Sequence, residues 1–149
     1  MDSPIRPSLL QLYTPGWIAS FNGIVESMLE LFGEENTRKA LYVAGAKIAG
    51  HFQIDNNVTF DGLEDELNRQ LDFLRWGTVE VTRIGGDVRL KHTAFPAMVC
   101  ASEPHVEYAS VFLGGVYYQW FSALGMDPAA EVSVLVDETN GLIADIRFL

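Results

Sequence analysis

Between residues 21 and 32 the apolar positions Phe21, Ile24, Val25, Met28, Leu31 and Phe32 recur at intervals of three and four and stop at Gly33. This spacing lines one side of a helix, and glycine is the residue best suited to leave a helix through a left-handed turn. The pattern therefore predicts a core-facing helix ending at Gly33. Asn36-Thr37 then opens a second helix, whose Ala40, Ala44, Gly45, Ala46, Ala49 and Gly50 are small enough for another backbone to come close. Arg38, Lys39 and Lys47 make it too charged for a bilayer. Residues 51–59 read as a loop. In Asp61-Gly62-Leu63-Glu64 the two acids read as a capping pair, with Asp61 accepting from the first turn and Glu64 reaching back. From there Leu63, Leu67, Leu71 and Leu74 form a stripe opposite Glu64, Asp65, Asn68, Arg69 and Asp72, and the helix ends at Trp76-Gly77.

The period then changes to two. If Gly85-Gly86 is a two-residue hairpin turn, Val81 falls opposite Leu90, Glu80 opposite Lys91, Thr82 opposite Arg89 and His92 opposite Val79. Apolar meets apolar and acid meets base, the pairing that stabilises a half-buried hairpin. A second hairpin is expected from residues 132–136 and 142–148, joined through Asn140-Gly141. There Val132, Val134 and Val136 take one face and Leu135, Ile146 and Phe148 the other, so that strand is expected to be sandwiched or to lie at an interface.

Between the hairpins, residues 105–124 have the length and boundaries of one long helix. The rows Phe112, Val116, Trp120, Leu124 and Leu113, Tyr117, Phe121, together with Val111, cover most of its circumference. A helix apolar nearly all round is a buried one, and burying each large apolar side chain contributes about 1.5 to 3 kcal/mol. Phe112, Tyr117, Tyr118, Trp120 and Phe121 are accordingly read as core or oligomer interface rather than as a stacking platform for a ligand. Gly114 and Gly115 support a close backbone crossing at the same place. The order helices, hairpin, helix, hairpin predicts an α+β domain, an antiparallel sheet packed with helices. It is read as one domain over 1–149, with an arm at 1–17, a helical part at 18–76 and a hairpin-helix-hairpin part at 77–149.

The chain has 149 residues, of which 48% are hydrophobic and 20% charged, so it has ample material for one core and leans toward surface covered by other subunits. Its net charge of −10 argues against a nucleic-acid role, since phosphate binding needs clustered Lys and Arg, and only ten basic residues are present, scattered. One cysteine, Cys100, rules out an internal disulfide. The start, MDSPIRPSLLQLYTPG, lacks the uninterrupted apolar core of a signal peptide, and no apolar run can span a bilayer, so the expected location is the cytoplasm, with the periplasm as the alternative.

His51, His92 and His105 have no metal-ligand spacing, and no metal or cofactor is expected. His92 is read as a hydrogen-bonded core or edge histidine. Cys100 and His105 form the nearest approach to a nucleophile and base, with nothing to orient the base, so an inert thiol is the preferred reading and the chain is expected not to be an enzyme. A second class of function, a sensor enclosing haem or another hydrophobic ligand through His51 or His105, fits the apolar helices.

The run FLRWGTVEV at 73–81, the glycine-turned hairpin reaching His92 and Phe95-Pro96, and FLGGVYYQWF at 112–121 together resemble the cellulose synthase operon protein D family over about Leu63 to Val136. The resemblance implies a non-catalytic accessory protein of bacterial cellulose secretion, part of biofilm formation. It implies an octameric homo-oligomer whose passages order nascent glucan chains into ribbons. The implied partners are other synthase subunits or a linker protein, and the glucan chain itself. With glucan as the ligand, Tyr13 and Trp17 are candidate stacking residues, and Ser3 and Arg6 candidate hydrogen-bond donors. Tyr13 and Trp17 serve equally well as a staple holding the arm to the fold.

Overall fold

The computed structural model describes residues 15–95, 103–130, 132–137 and 141–147. Its elements are α1 (Pro15–Gly50), α2 (Phe60–Leu74), β1 (Thr78–Ile84), β2 (Asp87–Thr93), α3 (Glu103–Ala123), β3 (Ser133–Asp137) and β4 (Gly141–Arg147). The fold is α+β, with a four-stranded antiparallel sheet in the order β1-β2-β4-β3.

The helix of α1 bends where glycine was expected to end it. Gly33 has φ 78° and ψ 174°, outside the helical region, and the helix resumes beyond it. The Thr37 hydroxyl donates to the Gly33 carbonyl at 2.7 Å, satisfying an acceptor that the bend exposes. Beyond the bend, the small residues bring α1 against α3. A side chain on Gly45 would collide with the Phe112 carbonyl, and one on Gly115 with the Tyr42 carbonyl, so the two glycines permit the crossing reciprocally. The Arg38–Glu107 ion pair ties the same two helices together at the surface.

The other helix ends differ from expectation in an informative way. Thr59 is the N-cap of α2 and makes no side-chain capping bond, and Asp61 lies in the first turn. Glu64 does not reach back; its carboxylate accepts from the Val81 amide at 2.9 Å. Asn68 donates to the Val79 carbonyl at 2.9 Å and accepts from the Val79 amide at 2.8 Å. The two side chains thus pair with the outer backbone edge of β1, which would otherwise offer unpaired donors and acceptors. At the far end of α2 the left-handed residue is Arg75, with φ 58°, followed by Gly77 at φ 94°.

The first hairpin has the expected register: Val81 opposite Leu90, Glu80 opposite Lys91, Thr82 opposite Arg89 and Val79 opposite His92. Alternate residues Val88, Leu90 and His92 are buried on the helix-facing side, while Arg89 and Lys91 face outward. In the second hairpin Gly141 is already a strand residue, opposite Asp137, so the connection is residues 138–140, outside the described residues, and not an Asn140-Gly141 turn. Leu135 stands exposed on β3.

The core gathers Leu63, Leu67 and Leu71 of α2, Val79, Leu90 and the long apolar face of α3. The largest correction concerns the first half of α1. Of the face expected to point inward, Val25 alone is fully buried, and Ile24, Leu31 and Phe32 are 57%, 71% and 59% exposed.

Candidate functional site

The apolar side chains left over at the start of α1 border a groove of about 760 Å³ between α1 and the C-terminal end of α2. Trp17, Phe21 and Ile24 form one wall, Phe73, Leu74 and Trp76 the other, with Ile48, Phe52 and Phe112 beneath. Its lining is largely aromatic. Trp17 stacks on Phe21 with ring centroids 5.6 Å apart and meets Trp76 and the edge of Phe95 at 6.4 and 6.3 Å. Phe21 and Trp76 both pack edge-on against Phe112, at 5.7 and 5.9 Å. Offset and edge-to-face contacts of this kind hold rings in fixed orientation. At the mouth, Phe73 is 72% exposed although its ring lies 6.1 Å from that of Phe52. Arg75 contributes the cationic rim.

Beneath this lining is a closed polar link. His92 and Tyr117 are both buried. The His92 imidazole lies 2.5 Å from the Tyr117 hydroxyl through Nδ1 and 2.6 Å from the Trp76 carbonyl through Nε2. A carbonyl can only accept, so Nε2–H donates to Trp76 and Nδ1 accepts from the Tyr117 O–H. Burial lowers the His92 pKa to about 4, opposed in part by the bond to Trp76, and raises that of the Tyr117 hydroxyl. Both are neutral, saturated and enclosed, which makes His92 a structural joint between β2, α3 and the end of α2 rather than a base.

A second, shallower cleft of about 430 Å³ lies on the other side of the α1–α3 crossing. Half-buried Tyr118 lines it, its ring 5.8 Å from Tyr42 and its hydroxyl donating to the Pro128 carbonyl at 2.9 Å. Lys47 and Gln119 supply its polar groups.

The residues singled out in the sequence thus fall in different places. Trp17 is in the first turns of α1, half-buried in the groove wall, and Ser3, Arg6 and Tyr13 lie outside the described residues. Phe112, Tyr117, Trp120 and Phe121 are buried within the single chain, and the Trp120 indole N–H donates to the Phe52 carbonyl at 2.9 Å. Cys100 lies outside the described residues, and His51 is exposed in the turn after α1. The sequence reading missed Phe73, Arg75 and Ile48. Phe73 carried a signal: it sits on the side of its helix away from Leu71, an aromatic residue placed off the apolar stripe. Among the described residues no group of three or more His, Cys, Asp or Glu could hold a metal ion, and no helix is long and apolar enough to cross a membrane.

A family model describing the D subunit of cellulose synthase matches residues 11–147. The chain belongs to this family, that of cellulose synthase operon protein D. The match reaches well beyond the stretch from Leu63 to Val136 that carries the resemblance in the sequence, and takes in α1 with the whole groove. A search of curated proteins finds no match. Membership associates the chain with cellulose synthesis and with other components of the synthase complex.

Proposed function

We propose that this protein is a non-catalytic scaffold that assembles from identical copies into a closed ring, an octamer. The ring orders nascent glucan chains, or the synthase complexes that make them, into crystalline ribbons. One observation carries the reading: the large apolar side chains Ile24, Leu31 and Phe32 of α1 and Phe73 of α2 are exposed, Ile24 and Phe73 on the same groove. Monomers rarely expose contiguous apolar patches larger than a few hundred Å², and larger ones mark contact surfaces. The buried histidine is locked between two hydrogen-bond partners, which supports assembly over chemistry. Partners on this reading are the other synthase subunits or a linker protein, with glucan guided along the ring.

The N-terminal segment then acts after folding, with Ser3, Arg6, Tyr13 and Trp17 as its glucan or partner contacts. Deleting residues 2–12 is expected to leave the oligomer's copy number unchanged and cellulose yield intact while ribbon alignment deteriorates. Native mass spectrometry and microscopy of cellulose from cells carrying the deletion test this together. A native mass equal to one chain for the full-length protein would overturn the ring; normal ribbons from the deletion would remove the arm from the mechanism. On this reading the ring acts in the cytoplasm, and a fusion reporter active only there is expected to remain active.

A further inference from the structure

The aromatic run of α3 is not uniformly enclosed. Phe112, Tyr117, Trp120 and Phe121 are buried, while Tyr118 and its neighbour Gln119 are half-buried, in the seam where α3 lies beside the second half of α1. Two clefts open on this seam and share Gln119. One is the 430 Å³ cleft of Tyr42, Lys47 and Tyr118, and the other, of about 200 Å³, is lined by Gln53, Asp55, Asn56 and Gln119. Tyr42, Ala46 and Ala49 of α1, and Gln119 and Ala123 of α3, line them at intervals of three and four residues, so the clefts follow one side of both helices as a single track. From Tyr42 to Ala49 the track rises about 10 Å along α1, at 1.5 Å per residue. The loop at 53–56 extends it further.

The side chains along this track fit one kind of ligand. The Tyr118 ring is fixed by the bond from its hydroxyl to the Pro128 carbonyl and by the Tyr42 ring 5.8 Å away, so it offers an oriented aromatic surface at the opening. Lys47, Gln119 and Asn56 make no hydrogen bond or ion pair among the described residues. The Asp55 carboxylate accepts from the Asn57 amide at 3.0 Å through Oδ1 and has its second oxygen to spare. Lys47 can only donate, the Asp55 carboxylate can only accept, and the two carboxamides do both. A phosphate or carboxylate would suit Lys47 and be repelled by Asp55, and an amine would meet the reverse. A hydroxyl donates and accepts, so a neutral polyol satisfies the whole row. A pyranose ring carries its hydroxyls at the edge and C–H groups on its faces, which matches polar groups set around an aromatic ring.

We propose that the α1–α3 seam, from Tyr118 through Gln119 to Asn56, is a binding track for a neutral oligosaccharide. Tyr118 stacks on a pyranose face, and Lys47, Gln119 and Asn56 bond to hydroxyls along the chain. The track rests on the reading that this protein guides glucan, and adds to it a site apart from the N-terminal segment.

The test titrates the full-length protein with cellohexaose, a soluble β-linked glucan, by calorimetry. The wild type is expected to bind. Asn56→Ala at the far end and Gln119→Ala where the clefts meet are each expected to weaken binding about fivefold, with melting curve and native mass unchanged. Tyr118→Ala is expected to weaken it about tenfold, and Tyr118→Phe, which keeps the ring, to bind within about twofold of the wild type. Asn56 is exposed and Gln119 half-buried, so these two variants report on the track even where Tyr118→Ala fails to fold. Equal losses in Tyr118→Phe and Tyr118→Ala overturn the stacking role. A wild type that binds cellohexaose, with Asn56→Ala, Gln119→Ala and Tyr118→Ala binding equally well, overturns the track and leaves glucan to the N-terminal segment. A wild type that does not bind cellohexaose overturns both.

Discussion

Helix α3 and the first half of α1 both carry large apolar side chains through successive turns, and the fold treats them in opposite ways. Around α3, Phe112, Leu113, Val116, Tyr117, Trp120 and Phe121 are all buried, by α1 on one side and the sheet on another. Along α1 before Gly33, Val25 is buried and Ile24, Leu31 and Phe32 are not. The difference is one of partners. The second half of α1, turned by the bend at Gly33, reaches α3 through Gly45 and Gly115. The first half meets the end of α2, Phe95 and Phe112 through Trp17 and Phe21, and among the described residues these contacts leave Ile24, Leu31 and Phe32 exposed. Apolar content therefore does not distinguish core from contact surface; the availability of a neighbouring element within the chain does.

The two helices should respond to substitution in a graded way. The largest effect is expected at α3: Trp120→Ala removes a fully packed ring and its bond to Phe52, and unfolding in urea should show a loss of about 3 to 5 kcal/mol. Retained stability with lost assembly would place Trp120 at a contact surface instead.

The polar joint responds to pH next. The His92 pKa is lowered to about 4 in the folded chain, from 6.5. The unfolded chain thus binds the proton more readily, so this group's contribution to stability is full above about pH 6.5 and falls as pH drops toward 4. The loss approaches about 3 kcal/mol at pH 4, at 1.36 kcal/mol for each pKa unit. Urea midpoints between pH 7 and pH 4 measure it. His92→Gln should flatten that part of the profile, and an unchanged slope in this variant would assign the acid sensitivity to carboxylates.

The crossing is intermediate. Gly115→Ala, which drives a methyl group into the Tyr42 carbonyl, should destabilise by about 1 to 3 kcal/mol. Wild-type melting in this variant would mean that α1 and α3 can separate freely. The smallest effect on the chain itself is expected at the exposed Leu31. Leu31→Ser should change its unfolding free energy by less than about 0.5 kcal/mol at concentrations where it is dissociated. The same substitution should weaken assembly, which sedimentation velocity across a dilution series reads.

The first hairpin and α3 were legible in the sequence because their signals are local. The Gly85-Gly86 turn sets the register from Val79 to His92, and a helix apolar around most of its circumference can be read without knowing its neighbours, although it begins at Glu103, two residues before the expected start. The capping of α2 was misread because Glu64 chose a distant partner, the Val81 amide, over its own helix end. The groove was illegible for the same reason. Ile24 and Leu31 repeat as regularly as core residues do, and only the tertiary position of α2, set by contacts far along the chain, leaves them uncovered. Phe73 was the one local clue, an apolar residue on a polar face.

The central claim is that the uncovered face of α1 is closed by other copies of the chain. Native mass spectrometry of the full-length protein addresses it most directly. One dominant species at eight times the 16.5 kDa chain mass is expected, shifting to smaller species when Phe73 is replaced by Asp. A single-chain mass for the wild type at micromolar concentration, or a Phe73→Asp protein that keeps the full assembly, would contradict it.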